Sequence, residues 1–256
     1  MNETKRFLEE IKTCGRLHAD SDKRAKEFYK EFWEGIYEEE EYGGETIFSF
    51  HTISGCMIRL LPEYYKYGKD IRYLTVKDRL EFIRKSSGEK CDISELFEKF
   101  FKLYHTLANF MPLPKGTLNN SKNTLYKEFP DLFLAGVREF AFTDKKDAPE
   151  YGPEVYYMEN NKKYFKKFGS WKNYVEKNYL QDFFDEKDEE YSKPIQLSPL
   201  TWRFPFTSTI AKSLTDEERE YCKDQIRNFL EKATEIIENR ADKLEKIAEA
   251  KNNGNV

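Results

Sequence analysis

No stretch of this chain approaches the roughly 20 consecutive apolar residues that a membrane-spanning helix needs. No part of it is therefore expected to span a membrane. Cysteine is scarce: the 4 residues Cys14, Cys56, Cys91 and Cys222 are scattered and form no CxxC pair. The start, Met1-Asn-Glu-Thr-Lys, is polar and unlike a secretory leader, so these thiols are expected to be reduced in a cytoplasmic protein. With 12 Gly and 9 Pro in 256 residues, collagen-like and low-complexity classes are excluded. Histidine is scarcer still. The 3 residues His18, His51 and His105 show neither HxH nor HxxxH spacing, which excludes a sequence-legible zinc site, and no cofactor motif stands in for it. An excess of basic charge is missing too: 43 Lys plus Arg face 47 Asp plus Glu, for a net charge of −4. Nucleic acid would have to bind through a local patch.

Aromatic residues are plentiful, with 21 Phe and 17 Tyr, although the mean hydropathy is only −0.84. A chain so polar and so aromatic at once is expected to fold around a Phe/Tyr core under a charged surface, and uniform disorder is excluded. The abundance of Lys, Asn, Ile, Phe and Tyr fits AT-rich codons and a low-GC bacterium or its mobile elements.

Periodicity predicts a mainly α protein. Asp20 or Ser21 caps a helix carrying Ala25, Phe28, Tyr29, Phe32, Trp33, Ile36 and Tyr37 on one face, which runs into Glu38–Glu41 and stops at Gly43-Gly44. Glu45 to Thr52 is the best strand candidate, so at most a small strand pair is expected near residues 45–60. Ser54 to Leu61 reads equally as helix or strand. Thr75 and Asp92 cap further helices, the second running to Leu107 and ending before Pro112. Pro130 starts a helix through Phe142, and Tyr164 to Phe184 is helical with a break at Gly169 and a new cap at Ser170. Thr215-Asp-Glu-Glu opens a long charged helix whose seam, Ile226, Leu230, Ala233, Ile237, Arg240, Leu244 and Ile247, alternates steps of three and four. The expected organisation is one helical domain over 1–210, and a helix over 211–251 that packs on it or joins a partner as a coiled coil.

Motifs for chemistry are few. GxSxG, P-loop and GxGxxG patterns are missing. Asp182, Asp185 and Glu186 would gather near one helix face, but the run continues as Lys187-Asp-Glu-Glu, a solvated helix end, and no metal is assigned to it. His105 and Asn109 fall on one face of the expected helix and can share a polar ligand. Lysines interleave with aromatics from Lys162 to Tyr174, and Lys166 with Trp171 represents the phosphate-plus-stacking pattern of single-stranded nucleic-acid binders. The same pattern also describes an amphipathic helix with its rings turned inward.

Three segments combine into a resemblance. Tyr104–Pro114 (YHTLANFMPLP) followed by Leu118-Asn119, then Asp131–Arg138 (DLFLAGVR), then Phe168–Phe183 (FGSWKNYVEKNYLQDF) are similar to the patterns xxIGxFxxFP…xN, DLTLxxIR and FxxFxxYVxFFxLxDL. These patterns belong to a bacterial family defined only as a domain of unknown function, and the likeness covers about residues 100–185. Lys122-Asn123 and Glu128-Phe129 stand where that family tends to have Arg-Gly and Asp-Arg. The resemblance implies a fold neighbourhood and singles out Asn119, Asp131, Arg138, Tyr174 and Asp182. Asp131 and Arg138 are two helical turns apart and are expected to meet Tyr174 and Asp182, as a buried ion network or as an anion-binding cleft.

Two functions follow as expectations. The first is a cytoplasmic, non-enzymatic binding or effector protein from a bacterial defence or mobile-element setting, with a protein partner or self-association through the C-terminal helix. The alternative is a hydrolase or nuclease acting on nucleotides or nucleic acid through Asp131, Arg138 and Asp182.

Overall fold

The computed structural model describes residue 11 and residues 22–67, 70, 73–87, 92–115, 129–143, 161–197 and 212–253. Within them the chain is mainly α. Helix α1 (Lys23–Phe32) is capped by Asp22, whose carboxylate accepts from the Arg24 amide at 2.9 Å. The cap positions expected at Asp20 or Ser21 lie outside the described residues. The helix ends at Phe32, well before the expected Glu41, and the chain turns through Gly35 at a φ of 74°. Gly43-Gly44 therefore does not stop a helix. It lies inside strand β1 (Tyr42–Thr46).

The strand expected from Glu45 onward is displaced, because Ser49 caps α2 (Phe50–Leu60), and this places the ambiguous Ser54–Leu61 stretch in helix. A short α3 (Tyr64–Tyr67) and α4 (Val76–Ser87) follow. Thr75 starts α4 as expected: its hydroxyl accepts from the Asp78 amide at 3.1 Å, and the Asp78 carboxylate accepts from the Thr75 amide at 3.1 Å. Helix α5 (Asp92–Leu103) stops short of the expected Leu107. A 3-10 turn (Leu107–Asn109) then leads into β2 (Phe110–Pro114). The two strands pair antiparallel, with Thr46 opposite Phe110 and Tyr42 opposite Pro114. The sheet's second strand is thus far from residues 45–60. Pro112 and Pro114 fit it because each strand of a two-stranded sheet has a free edge.

Pro130 opens α6 (Pro130–Val137), which widens into a π-helical turn over Arg138–Phe142. Helices α7 (Lys162–Lys166) and α8 (Trp171–Lys177) flank Gly169, again at a φ of 74°, and the Ser170 hydroxyl caps α8 by accepting from the Asn173 amide at 3.1 Å. After a 3-10 turn (Gln181–Phe183), the long α9 (Asp216–Asn252) opens on the expected capping box of Thr215 and Glu218.

Helix α9 lies against α5, α2 and the turn at Leu107–Asn109. Ile226, Leu230, Ala233, Ile237, Arg240 and Leu244 of its seam are all buried within the chain's own core. The seam that would drive a coiled coil is occupied, and α9 shares one apolar core with the preceding helices. Among the described residues, no helix is long and apolar enough to cross a membrane. Cys56 and Cys222 are buried and join no disulfide among the described residues, whereas Cys14 and Cys91 lie outside them.

The aromatic core makes a pH prediction. Burial holds the Tyr164 and Tyr174 phenols protonated well above the usual phenol range, and burial with the nearby Glu39 charge pushes Tyr37 up to about 12. An acid whose folded value is raised contributes stability that is complete below its unfolded value of about 10 and is lost as pH rises through the folded value. Thermal unfolding followed by circular dichroism should therefore show stability falling from about pH 10 upward, by about 1.4 kcal/mol per pH unit for each fully buried phenol. Arg240 works in the opposite direction. Desolvation lowers its guanidinium to about 10, so its loss of charge above that pH partly offsets the decline. Tyr174→Phe should make the alkaline slope shallower; an unchanged slope would contradict this account.

Candidate functional site

Asp131 and Asp182, singled out by sequence, are each engaged by a different partner. Asp131 is buried at the start of α6, where its Oδ2 accepts from the Leu197 amide at 3.1 Å. Asp182 sits in the 3-10 turn and pairs with Lys243 of α9 at 2.6 Å. Arg138 is half-buried on the π-helical turn and forms no ion pair among the described residues. Tyr174 is 0 % exposed, and its hydroxyl finds no hydrogen-bond partner within a cage of Phe142, Phe165, Phe168 and Trp171. Leu197 and Lys243 are thus partners of Asp131 and Asp182 that spacing along the sequence did not supply. Asp131 and Arg138 keep their helical spacing along α6, whereas Asp182 sits in a short 3-10 element and is drawn to Lys243 of α9. Asn119 lies outside the described residues.

Asn109 and His105 do not share a helix face, since α5 ends at Leu103. Asn109 instead acts as a substitute strand residue. Its Oδ1 accepts from the Phe48 amide at 2.9 Å, while its Nδ2 donates to the Phe48 carbonyl at 2.9 Å and to the Tyr104 carbonyl at 2.7 Å. The His105 ring stands edge-on to Phe110 at 5.2 Å. The expected helical carboxylate cluster also fails: Asp185 lies past the 3-10 turn and caps the local chain by accepting from the Lys187 amide at 2.9 Å. Among the described residues, no group of three His, Cys, Asp or Glu is placed to hold a metal.

In the lysine–aromatic stretch the rings face inward. Tyr164, Phe165, Phe168, Trp171 and Tyr174 are buried, whereas Lys166 is exposed. Trp171 donates from Nε1 to the Tyr191 carbonyl at 2.8 Å, and Tyr164 donates to the Pro112 carbonyl at 2.7 Å. No platform remains there for bases to stack on.

The feature that sequence reading passed over lies on α9. A groove of about 350 Å³ runs along this helix, lined by Gln196, Leu197, Tyr221, Gln225, Asn228, Phe229 and Lys232. Leu197 and Phe229 supply an apolar floor, and Phe229 is fixed edge-on against Phe129 at 5.9 Å. Asp131 contributes from behind by holding the Leu197 amide, and so acts as a positioning residue for the groove wall. Tyr221 is 50 % exposed and, with Tyr73, is one of the large hydrophobic side chains left open among the described residues. The one cation in the lining, Lys232, is neutralised by Glu235 at 2.7 Å. The remaining polar groups, Gln196, Tyr221, Gln225 and Asn228, are uncharged donors and acceptors. The signal was present in the sequence. Tyr221, Gln225, Asn228 and Lys232 recur at helical spacing, and the first three are uncharged positions on an otherwise charged helix face.

No family model matches the chain, and no significant match to it was found among curated proteins or solved structures.

Proposed function

We propose that this chain is a non-enzymatic binding protein of the bacterial cytoplasm that holds an extended segment of a protein partner in the groove along α9. The observation carrying this reading is the row Tyr221, Gln225 and Asn228 over the floor of Leu197 and Phe229. Primary amides offer two N–H donors and a carbonyl acceptor, the complement of main-chain peptide groups, and a half-open tyrosine adds apolar area with a polar tip. A phosphate or carboxylate ligand would demand a free cation, and Lys232 already has its carboxylate. A peptide-like occupant suits this lining better than an anionic metabolite. The separate engagements of Asp131 and Asp182 favour binding over hydrolysis. The buried thiols of Cys56 and Cys222 fit a reducing compartment. The family resemblance over about residues 100–185, and with it a defence or mobile-element setting, belongs to the same proposal.

A photo-crosslinking residue placed at Tyr221 tests it, with the 81 % exposed Tyr73 as the control position. The expected result is a single dominant protein adduct from Tyr221 in host lysate that Tyr73 does not give. The purified partner should then bind at least about tenfold more weakly to the double variant Gln225→Ala, Asn228→Ala, because each lost amide forfeits about 1 kcal/mol of hydrogen bonding. Identical adducts at both positions, or an unchanged affinity of the double variant, would sink the groove as the binding site. An adduct with a second copy of the chain would replace the partner by self-association.

A further inference from the structure

Helix α9 carries a second pattern besides its buried seam. Starting at Glu217 and stepping by four and three, the groove half of the helix presents Glu217, Tyr221, Asp224, Asn228 and Glu231. The same steps continue through Glu235, Glu238, Asp242, Glu245 and Glu249. Residues spaced this way keep to one side of a helix and drift by about 20° per heptad. All of them are exposed except Glu245, which is half-buried. Every charged position in the row is an acid, although the whole chain balances 43 Lys plus Arg against 47 Asp plus Glu. Cations are not lacking on α9: Lys223, Arg227, Lys232, Lys243 and Lys246 all fall between the positions of the row.

The row is continuous with the groove, because Tyr221 and Asn228 belong to both. Glu217 stands about one turn before Tyr221, Asp224 lies between the two lining residues, and Glu231 follows Asn228. An occupant laid along the groove therefore runs beside negative charge. Some of these acids already have neighbours: Asp224 pairs with Arg227, Glu235 with Lys232 at 2.7 Å and Glu238 with Lys99 at 3.0 Å. Such exposed pairs are weak and exchange for a competing cation at little cost. The sign of the row excludes other occupants. A phosphate polymer or an anionic membrane is repelled. A second copy of the chain using the same face brings its own acids against these. A small polycation has no peptide groups for Gln225 and Asn228 to bind.

We infer that the groove takes a basic occupant: an extended partner segment whose lysine and arginine side chains lie along the acidic row of α9 while its main chain meets Gln225 and Asn228. Such selection rests on the reading of the groove as a peptide site and adds the chemistry of the peptide. Complementary charge speeds encounter and rejects wrong partners more than it adds affinity, so the row selects among the peptides that the groove can hold.

Fluorescence anisotropy on the full chain tests this with three labelled peptides of equal length, in which serine alternates with lysine, glutamine or glutamate. The lysine peptide should bind at least about tenfold more tightly than the glutamine peptide at low salt, and the preference should shrink as salt screens the exposed charges. The glutamate peptide should not bind. Glu217→Lys with Glu231→Lys should weaken the lysine peptide at least about tenfold and leave the glutamine peptide unchanged. Glu217→Gln with Glu231→Gln should give a smaller loss in the same direction. Both glutamates are exposed and form no ion pair among the described residues, so the circular dichroism melt should stay close to native. Glu34→Lys with Glu63→Lys makes the same change in net charge at exposed positions off α9 and should leave the preference intact. Equal affinity for the lysine and glutamine peptides, both weakened by Gln225→Ala with Asn228→Ala, overturns the basic occupant and leaves the groove standing. Loss of the preference in the Glu34 and Glu63 variant also overturns it, since net charge alone would then account for binding. So does no measurable binding of the lysine peptide at low salt. Lysine-peptide binding that ignores the amide variant but falls with the row variant overturns the groove reading, and the basic occupant with it.

Discussion

Replacing Arg240 with alanine should lower the free energy of unfolding by about 3–5 kcal/mol, the sum of a core cavity and two buried carbonyls left without their donors. Arg240 is 0 % exposed in the middle of α9, at a position where the apolar seam calls for a hydrocarbon side chain. Its guanidinium meets main-chain carbonyls. Nε and Nη2 donate to the Asn178 carbonyl, each at 3.2 Å, Nη1 donates to the Ala108 carbonyl, and the group lies 5.8 Å from the centre of the Trp33 ring. Asn178 is itself tied down, its side chain accepting from Trp33 Nε1 at 3.0 Å and donating to the Tyr174 carbonyl at 2.8 Å. One side chain thereby fastens α9 to the end of α8 and to the turn before β2. Alanine would leave a cavity and remove the donors from both carbonyls. Arg240→Met fills most of the space and also avoids burying a charge, so it should cost distinctly less than alanine; Arg240→Lys keeps the charge without the planar fork and should fall between native and alanine. Urea unfolding with an unchanged m-value would measure these differences. An alanine variant within about 1 kcal/mol of native would mean that the carbonyls find other partners.

The second large effect is expected at Asn109. Asn109→Leu removes the partner of the Phe48 amide, the Phe48 carbonyl and the Tyr104 carbonyl at a buried position, at about 1–3 kcal/mol for each orphaned group, so a loss of about 3 kcal/mol or more is expected. Asn109→Asp keeps the shape and is the sharper probe. One carboxylate oxygen can still accept from Phe48, but the other faces carbonyls where the native residue placed a donor. The charged variant should therefore be at least as unstable as leucine at neutral pH and should regain stability on acidification, since only its protonated form can donate. A pH-independent deficit would show that shape matters there and donor placement does not.

These two residues also explain how much was legible beforehand. Thr215 with Glu218, Ser170 and Pro130 act where the sequence places them, because a cap is chosen within a few residues of chain. The direction of the rings was legible as well: Phe28, Tyr29, Phe97, Phe100, Tyr164 and Tyr174 recur on one side of their helices and are buried. The strand pair was not. Tyr42–Thr46 finds its partner at Phe110–Pro114, a stretch whose two prolines read locally as a helix stop, and nothing near either segment announces the other. The candidate site was misread for the same reason. Asp131, Arg138 and Asp182 are helix-compatible polar residues whose meaning depends on what stands opposite, and Leu197 and Lys243 could not be assigned to that place from spacing.

The sequence by itself determined that the chain is mainly α, where most helices begin, and that an aromatic interior lies beneath a charged exterior, since these follow from contacts within about one helical turn. Only the tertiary structure decided the partners of the buried polar groups. It turned Arg240 from an irregularity in a coiled-coil seam into a clasp on two carbonyls, and Asn109 from a ligand candidate into a side-chain tie between the turn before β2 and the backbone of Phe48. It also closed the aromatic stretch to bases by turning its rings into the core. A charge or an amide acquires its role from the group it meets across the fold, and those meetings are fixed by packing between segments far apart in sequence.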